Sequence, residues 1–142
     1  MNLCDPEFPA ELHYLVAHQV WARLHDDGSA TVGITALDIR LSGEIYMCRP
    51  KPVGSVVEQG RSVAVVELAK SIVSVKSAVS GTVLAVNPVL AHAPELVHAD
   101  PYGQGWLALV RLSDWPADCR SLIQGDEVLP AMQAHCALYP DD

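Results

Sequence analysis

The chain has 142 residues, 50% hydrophobic and 18% charged, with a formal net charge of −8. That balance fits one compact domain, 1–142, with a substantial core, and it excludes the disordered class. The basic residues are scattered, so no clustered surface for nucleic acid exists, and no apolar run approaches the ~18 residues of a membrane helix.

The first stretch, Met1-Asn2-Leu3-Cys4-Asp5-Pro6-Glu7, lacks the basic start and apolar run of an export signal, which predicts a cytoplasmic protein. Residues 21–24 and 30–34 flank Asp26-Asp27-Gly28 and read as a hairpin. Thr35 with Asp38 three residues later predicts a helix start. Leu37 and Leu41 lie one turn apart, and Gly43 suits the stop. Residues 44–48 read as a strand broken by Pro50-Lys51-Pro52. Val56 and Val57 lead into a turn at Glu58-Gln59-Gly60.

Next comes Val63-Ala64-Val65-Val66-Glu67-Leu68-Ala69-Lys70-Ser71-Ile72-Val73-Ser74-Val75, two β-branched arms around one amine. Residues 83–86 form a further strand, closed by Asn87-Pro88. Residues 92–100 read as a loop with a possible helical turn at 94–97, and 106–112 as a last strand. Ser113-Asp114 can cap a helix with Pro116 in its first turn, and a short C-terminal helix is predicted over 128–138.

Ser42-Gly43-Glu44-Ile45 and Ser80-Gly81-Thr82-Val83 echo one another on either side of the lysine hairpin. Each is expected to open a strand. The fold expected is mainly β with short helices (α+β), a quasi-symmetric β sandwich with a C-terminal helix.

Cys4, Cys48, Cys119 and Cys136 are far apart without a Cys-x-x-Cys pair. They read as four reduced thiols, with a Cys119–Cys136 bridge as the alternative. The six histidines show no zinc-type spacing and read as structural or surface groups.

The chain has three lysines, Lys51, Lys70 and Lys76. Lys51 sits between prolines, and Lys76 lies along a strand. Lys70 at a turn tip is a hydrated cation on a flexible stem, reachable by a modifying enzyme. A tip amine is too wet for Schiff-base catalysis, which needs a desolvated one. A solvated turn lysine without cargo remains the plain alternative, and Glu67 reads equally as a solubilising carboxylate of an exposed strand.

Longer runs resemble the lipoyl-carrier H proteins of the glycine cleavage system. Thr31-Val32-Gly33-Ile34-Thr35 resembles the family's early strand, and Glu67-Leu68-Ala69-Lys70 its Glu-Ser-Val-Lys attachment motif. Ala78-Val79-Ser80-Gly81 lies at its Pro-Val-Ser-Gly. Pro94-Glu95-Leu96-Val97 and Asp100-Pro101-Tyr102-Gly103-Gln104-Gly105-Trp106 follow in register. The resemblance implies a lipoyl/biotinyl-type sandwich (barrel-sandwich hybrid) and lipoate in amide linkage on Lys70. It also implies Glu67 as a recognition residue for the lipoate-attaching enzyme, and a non-catalytic carrier role. Biotin is disfavoured, because Ala69 and Ser71 flank Lys70 where biotin carriers place methionines.

Ser71-Ile72-Val73 departs from the family's Ala-Ala-Ser, Lys76 replaces a usual aromatic, and His18-Gln19-Val20-Trp21 replaces Glu-His-Glu-Trp. The chain resembles more closely the H-like lipoate-binding proteins of bacterial sulfur oxidation, in the runs His18-Gln19-Val20-Trp21-Ala22-Arg23, Val75-Lys76-Ser77 and Ser113-Asp114-Trp115. That subgroup implies an arm shuttling sulfur intermediates among heterodisulfide-reductase-like enzymes. The alternative is an H protein carrying an aminomethyl group between glycine decarboxylase and aminomethyltransferase. In either role dihydrolipoamide dehydrogenase would reoxidise the arm. An unmodified interaction module is the alternative of another class.

Overall fold

The computed structural model describes residues 8–138. The expectations placed on residues 1–7, Cys4 among them, and on the Leu41 side chain lie outside the described residues. One antiparallel sheet runs in the order β1 (His13–Leu15), β2 (Val20–Leu24), β3 (Ser29–Ile34), β9 (Ala108–Leu112), β8 (Gly81–Val86), β5 (Val56–Val57). The second holds β4 (Met47–Pro50), β6 (Ser62–Glu67) and β7 (Ile72–Lys76), with β6 central. Four short helices complete the order: α1 (Ala36–Ser42), α2 (Leu96–Ala99), α3 (Trp115–Cys119) and α4 (Val128–Cys136). The mainly β architecture with a C-terminal helix is the one expected.

β-Branched residues fill the space between the sheets. Val32, Val83 and Val110 from the large sheet share one buried cluster with Val63, Val66 and Val75 from the small one. Each such side chain contributes about 1.5–3 kcal/mol on full burial. A second cluster lies under α4, where Leu12, Tyr14, Trp21, Leu37 and Met132 pack together. The Trp21 indole N–H donates to the Ile34 carbonyl at 3.0 Å. Gly33 is required beside it, because any Cβ there would overlap the Trp21 ring.

Several expectations shift. The strand read over 44–48 begins at Met47 and ends on Pro50. β4 is an edge strand, where a missing N–H is tolerated. The echo has structural meaning in one half only: Gly81 opens β8, but Gly43 caps α1 with φ 85°. β1 carries no clear sequence signal, and Asn87-Pro88, read as the close of a strand, also caps the 3-10 turn Pro88–Ala91. Cys48 and Cys119 are free, while Cys136 is disulfide-bonded, so four reduced thiols and the Cys119–Cys136 bridge are both corrected.

Candidate carrier hairpin and its cleft

β6 and β7 pair in antiparallel register from Ser62↔Lys76 to Glu67↔Ile72. Leu68 N–H donates to the Ser71 carbonyl at 2.8 Å, which closes a two-residue loop of Ala69 and Lys70. Neither loop residue has positive φ. The turn therefore avoids the primed geometries that call for Gly or Asn. Ala69, Lys70, Ser71, Ile72 and Val73 are all exposed. Val66 and Val75 anchor the hairpin in the core below. The arrangement fixes the Lys70 backbone and leaves its amine in water.

Glu67 lies on β6, exposed, opposite Met47 on one side and Ile72 on the other. Its carbonyl accepts from Tyr46 N–H at 2.8 Å. The carboxylate stands three residues before Lys70 on the same hairpin and is open to a docking protein.

Beside the hairpin is a cleft of about 200 Å³. Ile34, Ile45, Val66, Leu68 and Val73 give it apolar walls. His18 enters from the 3-10 turn Val16–His18, Asp38 from α1, and Ser74 and Lys76 from β7. The Ser74 hydroxyl is buried without a hydrogen-bond partner. An orphan hydroxyl in an apolar cleft fits a guest with an aliphatic chain and a polarisable or hydrogen-bonding end. The acyl-dithiolane arm that the sequence resemblance implies would have those two parts.

Gln19 holds this corner together, a role the sequence did not reveal. It is buried with φ 54°. Its side-chain amide donates to the Val16 carbonyl at 2.9 Å and accepts from the Thr35 hydroxyl at 2.7 Å. Thr35 Oγ1 in turn accepts from Asp38 N–H at 3.1 Å, capping α1 as expected. His98 Nε2 accepts from Ile45 N–H at 2.8 Å, which pins the far lip.

Tyr102, Trp115 and Cys48 do not line the cleft. Tyr102 packs against Trp21, and its hydroxyl accepts from Ala36 N–H at 3.0 Å. Trp115 stacks edge-on with His13. Burial pushes the Cys48 thiol up to about 12, so it stays protonated and unreactive. A wider open hollow of about 590 Å³, which includes Arg23, Asp27 and Trp106, has no residue of the hairpin on its wall. The smaller cleft is the one walled by the hairpin, at Val66, Leu68 and Val73.

The comparisons agree with this geometry. Residues 12–135 match the family model described as "Glycine cleavage H-protein". The glycine cleavage system H protein of Thermobifida fusca is 44% identical over 110 residues, covering 78% of this chain and 86% of the relative. That of Psychrobacter cryohalolentis is 39% identical over 119 residues, covering 84% and 93%. The crystal structure of a Mycobacterium marinum glycine cleavage system H protein superposes with a TM-score of 0.74 at 25% identity, covering 89% of this chain and 99% of that one. The sheet pair and C-terminal helix share the fold of that H protein, and H proteins are non-catalytic lipoyl carrier subunits. The chain belongs to the glycine cleavage H-protein family. Proteins of this family carry lipoate covalently on a lysine. The relatives named here bear the glycine cleavage name, so they support the alternative drawn from the sequence better than the sulfur-oxidation role.

Proposed function

We propose that this chain works as a single carrier domain, the H protein of a glycine cleavage system, with lipoate in amide linkage to Lys70. It would take an aminomethyl group from glycine decarboxylase to an aminomethyltransferase, with dihydrolipoamide dehydrogenase reoxidising the arm. The observation that carries the reading is a lysine amine in water at a fixed hairpin tip, beside a cleft that suits the arm. Lipoate supplies a disulfide–dithiol couple. Lys70 supplies the nitrogen, the hairpin holds that nitrogen for the attaching enzyme, and the apolar walls exclude water from a docked guest. Glu67 is assigned to contact with the attaching enzyme.

The carrier of sulfur intermediates is the second reading. What favours it is the placing of His18 and Lys76, both departures from the family pattern, on the cleft wall. One experiment separates the readings. The protein is incubated with a lipoate ligase, lipoate and ATP, then weighed intact. One lipoyl adduct is expected, absent in Lys70→Arg and kept in Lys76→Arg. The loaded protein is then given to glycine decarboxylase with glycine and labelled bicarbonate. Label exchange supports the glycine cleavage role. A lipoylated protein that supports no exchange leaves the sulfur carrier, and an adduct on Lys76 ends the Lys70 assignment.

A further inference from the structure

Three lysines serve a chain of net charge −8, and one of them lies on the cleft wall. Lys76 is half-buried at the end of β7, on the cleft wall. The charged or titratable groups facing the cleft are His18 from the 3-10 turn, Asp38 from α1 and Lys76 from β7. β6 adds only the apolar Val66, the turn after it Leu68, and the link after α1 Ile45. Asp38 is the single carboxylate on this wall.

Distance brings the arm's end to this lysine. About a dozen bonds separate the Lys70 Cα from the sulfurs of a lipoyl amide, a reach on the order of 15 Å. A strand rises about 3.3 Å per residue, so an arm laid along β7 ends near Ser74 or Val75. The Lys76 stem is long enough to close the rest. The sulfur end would then lie by an orphan hydroxyl, an ammonium and apolar walls.

We infer that Lys76 is a tuning residue for the carrier: its ammonium faces the reduced arm in the cleft and stabilises the thiolate over the thiol. The inference rests on lipoylation at Lys70 and adds to it a reason for a cation at this position. A nearby positive charge favours the anionic form of a sulfur, and the thiolate is the nucleophile in any transfer to or from the arm.

The test uses the full chain, lipoylated and then reduced with a phosphine. Iodoacetamide alkylation is followed across pH: the thiolate displaces iodide and forms the S–C bond, so the rate reports thiolate content. Lys76→Met, which keeps the stem and removes the charge, is expected to raise the apparent pKa of the arm by about 0.5 to 1. Its rate at pH 7 should fall about two- to threefold, since the more basic thiolate is also more nucleophilic. Lys76→Arg should retain the wild-type profile, and Lys51→Met should not alter it. Superimposable profiles for wild type and Lys76→Met overturn the inference, as does an arginine variant that behaves like the methionine one. Intact mass is read first: absence of the adduct removes the carrier reading and this inference with it, whereas lipoylated proteins with identical profiles remove the inference alone.

Discussion

Gln19 is the only non-glycine among the described residues with a left-handed backbone, φ 54°. A left-handed L-residue costs roughly 1–2 kcal/mol. The side chain offsets that cost. It bonds the Val16 carbonyl and the Thr35 hydroxyl and meets Met132 Sδ at 3.2 Å, while its own carbonyl accepts from Thr35 N–H at 3.1 Å. One residue thus ties the 3-10 turn bearing His18 to the helix bearing Asp38. Gln19→Ala removes the bonds and keeps the strain; Gln19→Gly removes both. Ala is expected to lower stability by about 2 kcal/mol or more. Gly should be less harmful than Ala by about 1 kcal/mol. Urea denaturation of the three proteins checks the order. Gly as unstable as Ala would mean that the backbone is not strained there.

At the scale of elements, the hairpin was legible, whereas the residues that line the cleft were not. β-Branched runs around a lone amine are a local signal, and β6, β7 and the exposed Lys70 followed from them. The α1 and α3 caps were also local: Thr35 accepts from Asp38 N–H, and Asp114 from Ala117 N–H. β1 was hidden because only three residues form it and Tyr14 and Leu15 are both buried, each in a different cluster, so no alternation shows. The cleft depends on residues 18, 38, 45, 68 and 76 meeting in space, which no spacing along the chain encodes. Asp118 was missed for the same reason. It is buried in α3 and accepts from Ser80 N–H at 2.6 Å and the Ser80 hydroxyl at 3.1 Å, while its carbonyl accepts from the Gln59 amide at 2.8 Å. The helix thereby clamps the segment that enters β8. Asp118→Ala strands the part-buried Ser80 N–H and should lower stability by about 1–3 kcal/mol. A thermal melt checks this, and a change under 0.5 kcal/mol, the range of an ordinary surface substitution, would refute the clamp.

Across the whole molecule, two pH effects oppose each other. The chain carries a net charge of −8 at pH 7 and has a pI near 5.0, so acidification toward pH 5 relieves charge repulsion and favours the folded state. Half-buried histidines act the other way. Burial lowers the pKa of His13 and of His135 below the ordinary 6.5. The unfolded chain then takes up protons before the folded one does, so the stability these groups provide is complete above about 6.5 and is lost as pH falls through the lowered folded values. His13 is the cleaner probe. Its Nδ1 is buried without a partner, and its ring meets Trp115 edge-on at 4.9 Å, which joins β1 to α3. His13→Phe keeps a ring against Trp115 and removes the titration. In denaturant melts between pH 7 and 5, the wild type should lose stability relative to His13→Phe as the pH falls, with the gap opening only below about 6.5. Comparing the two proteins cancels the repulsion effect, which they share. A constant gap over the whole range would mean that His13 takes up its proton equally in folded and unfolded chains.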